Sequence, residues 1–217
     1  MVYEAVMKKD KFNSFSVPLG LLDYVNPIFY TITISKIIKH IGGVLGSPFR
    51  NILIIGAVLS ILFGFIIPTG KVIVGLGILR FRMPVILVFL VNLGILLSGS
   101  MLLKYVFDLN AIILLAIEAV VMILLFMIYR KNKKLNTIAV MTGAFGYVMI
   151  YISLITYSIR NRILLPALCS VAAIFLFVML CGIGIKANLK DPKVHWKIEI
   201  SNVICQGLVA LAACLLF

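Results

Sequence analysis

The sequence predicts an all-α integral membrane protein: a bundle of six firm transmembrane helices preceded by an N-terminal amphipathic helix. Composition is the first reason, because 63% of the 217 residues are hydrophobic and the mean hydropathy is +1.20. Spacing is the second, because apolar runs that approach the roughly 20 residues needed to cross a bilayer alternate with short basic loops. Backbone groups in lipid must bond within their own segment, so each run is expected to be a helix.

Apolar runs follow one another from residue 51 to the C-terminus. They cover residues 51–67, 83–103, 110–129, 135–159, 163–185 and 200–217. Residues 51–217 are therefore predicted to form one polytopic transmembrane domain, and residues 1–50 a polar N-terminal segment. Pro68, Thr69 and Gly70 are expected to end the first run. The apolar residues 72–79 are too short to cross and are expected to form a loop at the membrane surface, with a re-entrant or interfacial segment as the alternative.

Residues 27–46 of the N-terminal segment predict the amphipathic helix. Its apolar stripe has helical spacing and consists of Ile34, Ile37, Ile38, Ile41 and Leu45. The opposite face carries Ser35, Lys36, Lys39 and His40. Such a helix is typical of an element that lies in the interface plane of a membrane.

The basic residues predict the orientation of the chain. The formal net charge is +13, and the Lys and Arg side chains cluster in loops 71–82, 130–134 and 186–197. The positive-inside tendency places these loops in the cytoplasm, in a multi-pass protein of the plasma membrane, and the C-terminus outside. No recognition motif accompanies the charge, so anionic lipid headgroups are the expected partners and nucleic acid is not.

Six crossings leave a conflict at the N-terminus, because they put residue 50 outside although the first 50 residues are themselves basic. A seventh crossing by residues 24–46 would return the N-terminus to the cytoplasm. It would also bring Lys36 near the middle of the membrane, at a cost of about 2.5–3.5 kcal/mol. Both arrangements stay open at this stage, and the interfacial or partly inserted helix is preferred.

Three polar residues interrupt the apolar runs and are candidates for a transport path: Glu118, Asn92 and Gln206. Glu118 is the strongest candidate of the three. An ionised carboxylate near mid-membrane costs free energy, so its side chain should face the bundle interior. Lys36 and Lys39 are its candidate partners if the N-terminal helix inserts. Asn92 and Gln206 are equally compatible with hydrogen bonds that hold helices together.

A second set of residues is expected at the membrane interface or against lipid headgroups: Lys36, Lys39, His40, His195 and Trp196. His195 and Glu199 are four residues apart, but one histidine and one carboxylate do not make a metal motif. The cysteines lie inside apolar runs and are interpreted as small buried residues. No metal site, cofactor or catalytic residue is predicted.

The leading hypothesis from sequence is a small ion or solute transporter, a channel-like protein, or the membrane subunit of a transport complex. The alternative is a non-catalytic assembly or regulatory protein. Glycine and serine repeat every four residues on two runs, at Gly56, Ser60 and Gly64 and at Gly94 and Ser98. Such faces let helices approach closely, within the chain, in a homo-oligomer or with another membrane protein. A lipid-modifying enzyme is the third hypothesis.

Overall fold

A computed structural model describes residues 17–76, 85–132, 135–186 and 192–217. Within these ranges the chain is helical except for short turns, which confirms the predicted all-α bundle. The helices of the described residues are α1 Val17–Asp23, α2 Val25–Ile41, α3 Ser47–Gly75, α4 Val85–Phe107, α5 Ala111–Asn132, α6 Leu135–Arg160, α7 Leu164–Lys186 and α8 Pro192–Leu216.

The six predicted apolar runs coincide with α3 to α8. Four of these helices contain segments long and apolar enough to cross a membrane: Ser47–Val74, Val85–Phe107, Val140–Arg160 and Trp196–Leu216. The other two, α5 and α7, contribute the shorter apolar stretches Ala111–Met127 and Leu164–Leu180. The protein is therefore embedded in a membrane, as its composition predicts.

Helix α3 continues through Pro68, which corrects the predicted end of the first run. The helix ends at Gly75, so at least Val72, Val74 and their neighbours belong to it rather than to a surface loop. Proline removes one backbone donor, but a membrane helix can compensate through nearby hydroxyl groups. Here the Thr69 hydroxyl donates to the carbonyl oxygen of Phe65 at 2.7 Å, next to the Gly64 carbonyl that loses its Pro68 donor. Residues 77–84 lie outside the described part of the chain.

Helix α2 runs along the bundle from one end to the other. We call the group Asp23, Lys71 and Glu199 the charged end. We call the group His40, Tyr105, Tyr157 and Phe217 the aromatic end. Helix α2 begins two residues after Asp23 and ends one residue after His40, a length of roughly 25 Å at 1.5 Å per residue. Helix α8 has Glu199 near its start and Phe217 just beyond its end, so α2 and α8 run parallel.

The predicted apolar stripe of α2 faces the core. Ile34, Ile37 and Ile41 are almost completely buried, and Leu45 in the following turn is buried as well. Ile28 and Ile32 on the other side are exposed, as expected for a helix at the rim of a membrane bundle. The observed helix Val25–Ile41 begins two residues before the predicted range 27–46 and ends five residues before the end of that range.

Glycine contacts bring the other helices together at close range. A Cβ atom on Gly56 of α3 would lie 2.8 Å from the carbonyl oxygen of Gly94 on α4. On the opposite side of α4, a Cβ atom on Gly146 of α6 would lie 2.6 Å from the backbone nitrogen of Leu96. The predicted small-residue faces of α3 and α4 therefore pack within the chain, as van der Waals association in lipid requires.

Candidate functional site

A polar stripe on one side of α2 is the most unusual feature of the bundle. The stripe consists of Asp23, the last residue of α1, and of Asn26 and Tyr30 on α2. Tyr24 between the two helices keeps helical dihedral angles (φ −64°, ψ −23°), so the i, i+3 and i+7 spacing still places the three residues on one face. The same face continues into the buried stripe of Ile34 and Ile37. One half of the inner face of α2 is therefore polar and the other half is aliphatic.

The stripe begins at the charged end, where Lys71 bridges two carboxylates. The Lys71 Nζ lies 2.5 Å from Asp23 Oδ2 and 3.5 Å from Glu199 Oε1. Only 22% of the Lys71 side chain is exposed, against 13% for Asp23 and 10% for Glu199. Lys71 and Glu199 both lie inside membrane-length apolar segments, near the end of one and the start of the other. Charges in such a place are costly and are usually functional.

The two carboxyl groups are also close to each other. Both lie against the Lys71 Nζ atom, so two carboxyl groups share one ammonium group. The Asn26 amide donates to Asp23 Oδ1 at 3.2 Å, whereas the Asn26 Oδ1 atom is buried and has no partner among the described residues. The charged end is thus rich in oxygen acceptors.

Two further hydroxyl groups border the charged end. The Tyr24 hydroxyl lies 2.6 Å from the Thr69 hydroxyl, which joins the start of α2 to the last turns of α3. The rings of Tyr24 and Phe65 lie 6.3 Å apart, centroid to centroid, along the same contact. These contacts hold the start of α2 against α3, with Thr69 two residues before Lys71.

The stripe reaches a group of buried hydroxyls halfway along the bundle. Tyr30 is 4% exposed and its hydroxyl faces those of Ser60 on α3 and Ser98 on α4. The two serines donate to the carbonyl oxygens of Gly56 and Gly94, one turn back on their own helices, at 2.9 Å each. The Tyr30 hydroxyl makes no hydrogen bond of good geometry within the described residues.

Helices α6 and α8 complete the mid-bundle group. Tyr147 and Gln206 share a side-chain hydrogen bond, and Gln206 is 4% exposed. One turn further along α6, the Tyr151 hydroxyl lies 3.3 Å from the Cys205 Sγ. The Cys205 thiol in turn donates to the carbonyl oxygen of Ala173 on α7 at 3.3 Å. Buried polar side chains halfway along the bundle thus make contacts on six helices, α2, α3, α4, α6, α7 and α8.

The aromatic end lies at the C-terminal end of α2, after its aliphatic half. The His40 Nε2 lies 2.8 Å from the Tyr157 hydroxyl. The His40 ring also lies 4.8 Å from Phe217 and 6.1 Å from Tyr105, centroid to centroid. Packed rings of this kind suit the boundary between hydrocarbon and water. Between this end and Tyr30, the buried side chains on α2 are mainly aliphatic.

The three predicted path residues do not form one group among the described contacts. Gln206, which the sequence analysis identifies only as a polar residue inside an apolar run, belongs to the mid-bundle group. Asn92 is half-buried on α4 and packs against Gly143 of α6, where a Cβ atom would collide with its amide. This position favours the helix-bridging interpretation of Asn92.

Glu118 lies elsewhere, on α5. It is half-buried and shares a helical face with the buried residues Leu114, Val121 and Leu125, so it faces inward. Helix α5 packs against α6 and α4, whereas Lys36 and Lys39 lie on α2, which packs against α1, α3, α4 and α8. No direct contact between α2 and α5 occurs among the principal helix pairs of the described residues. Glu118 has no polar partner among the side chains that the structure describes.

The predicted interfacial residues lie near the two ends of the bundle. Lys39 and His40 are exposed at the aromatic end, and Lys36 is half-buried one turn earlier. Trp196 is half-buried and is the first residue of the apolar segment of α8. The side chain of His195 lies outside the described residues. Contact of this set with lipid headgroups stays a prediction.

Sequence reasoning missed the charged end altogether. Asp23 and Lys71 are 48 residues apart, and Lys71 and Glu199 are 128 apart, so no local motif joins them. The assumed end of α3 at Pro68 also assigned Lys71 to a loop. The spacing of Asp23, Asn26 and Tyr30 was the one signal that could have located the polar stripe.

Comparison of the chain with protein-family models, with curated proteins and with solved structures gave no match.

Proposed function

We propose that the protein is a small transporter or channel-like protein that moves an ion or small polar solute, and that the polar stripe of α2 lines its path. One observation carries the proposal: the stripe connects the buried ion cluster of the charged end to the buried hydroxyls around Tyr30. Polar groups inside a membrane bundle cost free energy, and those that persist commonly mark a pathway. Binding near mid-membrane is a recurrent arrangement in transporters.

The aliphatic half of α2 supports the same proposal, because it would act as the barrier. Ile34, Ile37 and Ile41 fill the space between Tyr30 and the aromatic end. A solute that enters at the charged end would stop at mid-depth until α2 moves relative to its neighbours. A closed aliphatic segment next to a polar site is what alternating access requires.

We also propose that α2 crosses the membrane, as the seventh crossing. It packs along α8, a helix of membrane-crossing length, with Phe29 against Gly207 and His40 beside Phe217. Lys36 lies one turn before the aromatic end, so its ammonium can reach the interface by extending along the helix. Seven crossings would place the N-terminal segment on the side of loops 71–82, 130–134 and 186–197, which resolves the charge conflict in favour of a cytoplasmic N-terminus.

The test is flux into proteoliposomes, measured for protons and monovalent cations under an imposed gradient. We expect the native protein to exceed empty vesicles and Asp23→Asn to abolish the difference, because the stripe would lose its entry carboxylate. Glu118→Gln at matched protein content separates the two candidate paths. Loss of flux in Glu118→Gln with normal flux in Asp23→Asn would overturn the path along α2.

A further inference from the structure

We infer that the hydroxyl groups of Tyr30, Ser60 and Ser98 form a binding site for one water-sized molecule that donates hydrogen bonds, and that water occupies it. We call these three groups the hydroxyl site. They belong to α2, α3 and α4, which pack against one another. The inference goes beyond the proposed function, because the same site can exist in a protein that transports nothing.

The first argument is the balance of hydrogen-bond donors and acceptors. Ser60 and Ser98 are buried, and each donates its one hydroxyl hydrogen to a carbonyl oxygen one turn back on its own helix, at 2.9 Å. Their oxygens have only lone pairs left to offer. The Tyr30 hydroxyl, which is buried beside them, carries a single hydrogen and makes no well-formed bond within the described residues. The hydroxyl site therefore lacks donors and has acceptors to spare.

The second argument is that the helices cannot bring the three hydroxyls closer by themselves. Helices α3 and α4 already touch, since a Cβ atom on Gly56 would lie 2.8 Å from the carbonyl oxygen of Gly94. Three residues before Tyr30, α2 rests on the backbone of α3, where a Cβ atom on Gly64 would lie 3.3 Å from the Cβ of Pro27. A small molecule between the hydroxyls can complete their hydrogen bonds without moving any helix.

The third argument identifies the bound molecule. Every oxygen of the hydroxyl site is neutral, and an ion loses far more hydration free energy on burial than a neutral molecule does. A buried water typically makes about three hydrogen bonds to polar groups that lack other partners. Its two hydrogens would go to the Oγ atoms of Ser60 and Ser98, and its oxygen would accept the hydrogen of Tyr30. One water molecule thus satisfies all three hydroxyl groups.

The experiment is hydroxyl-radical footprinting of the full chain in detergent, because the entropy lost by an immobilised water offsets much of its effect on stability. X-ray pulses produce radicals from bound water as well as from bulk water, so a buried side chain beside a bound water is oxidised. Mass spectrometry measures the oxidation of each residue relative to its intrinsic reactivity. We expect several-fold more oxidation of Tyr30 than of Tyr151, which is equally inaccessible and whose hydroxyl lies 3.3 Å from the Cys205 Sγ.

The double variant Ser60→Ala/Ser98→Ala removes the two acceptors and should lower the oxidation of Tyr30 to that of Tyr151. Ser153→Ala is the matched control and should leave it unchanged, because Ser153 is equally buried and donates to a carbonyl oxygen one turn back on α6. Oxidation of Tyr30 that the double variant does not reduce would overturn the inference. If the double variant does not fold, the native protein decides: oxidation of Tyr30 no greater than that of Tyr151, or matched by that of Ile37, would overturn the site, since the latter means that bulk water enters the bundle.

The water site and the transport proposal fail in distinguishable ways. Oxidation of Tyr30 that depends on the two serines, without flux of any tested ion, would retain the site and overturn the transport proposal. Flux that depends on Asp23, with Tyr30 oxidised no more than Tyr151, would overturn the water site and leave the path along α2 in place.

Discussion

Replacing Tyr30 by phenylalanine should separate function from stability. The side chain is 4% exposed, and its hydroxyl has no well-formed hydrogen bond among the described residues. An unsatisfied buried polar group costs about 1–3 kcal/mol, so its removal in a ring of the same shape should not weaken the fold. We expect the free energy of unfolding of Tyr30→Phe to equal that of the native protein or to exceed it by up to about 1 kcal/mol.

The control variant is Tyr151→Phe, which makes the same chemical change on α6. Tyr151 is fully buried, and its hydroxyl lies 3.3 Å from the Cys205 Sγ. Loss of such a bond typically costs about 0.5–1.5 kcal/mol. Reversible unfolding in mixed detergent micelles measures both variants. If Tyr30→Phe loses more than about 1 kcal/mol, its hydroxyl is a structural partner and the argument from an unsatisfied group fails.

Two further predictions concern packing and topology. Gly146→Ala should lower the free energy of unfolding by about 1–3 kcal/mol, because its Cβ would meet the backbone of α4 near Leu96. Gly43→Ala should change the free energy of unfolding by less than about 0.5 kcal/mol, since a Cβ there meets nothing within 4 Å. Reversible unfolding in the same micelles measures both variants. A reporter fused before residue 20 should lie on the same side as a reporter at residue 132, and opposite sides would exclude a crossing by α2.

Hydropathy was sufficient to predict the bundle. Runs of apolar residues can satisfy their backbone only as helices in lipid, so α3 to α8 follow from composition and length. The inward stripe of Ile34, Ile37 and Ile41 also follows from its periodicity, because helical spacing does not depend on what the stripe contacts. The same holds for Gly56 and Gly94, whose spacing predicted close helix packing that the structure contains.

The candidate site could not be predicted in the same way. Sequence indicates which polar residues are costly in a membrane, but not which distant residue offsets the cost. Proline ends helices in water, so the sequence predicts a helix end at Pro68. Inside the membrane bundle α3 continues to Lys71 and beyond. Because α3 continues past Pro68, Lys71 lies in a buried ion cluster with Asp23 and Glu199 and not in the basic loop that the sequence predicts.

The most direct test of the proposed path is ion flux in the Tyr30→Phe variant. Native protein and variant are reconstituted at equal protein content, and flux of protons and monovalent cations is measured against empty vesicles. Since the variant should be as stable as the native protein, a loss of flux would place the Tyr30 hydroxyl in the path. Native-level flux in Tyr30→Phe, or native flux no greater than that of empty vesicles, would contradict the account.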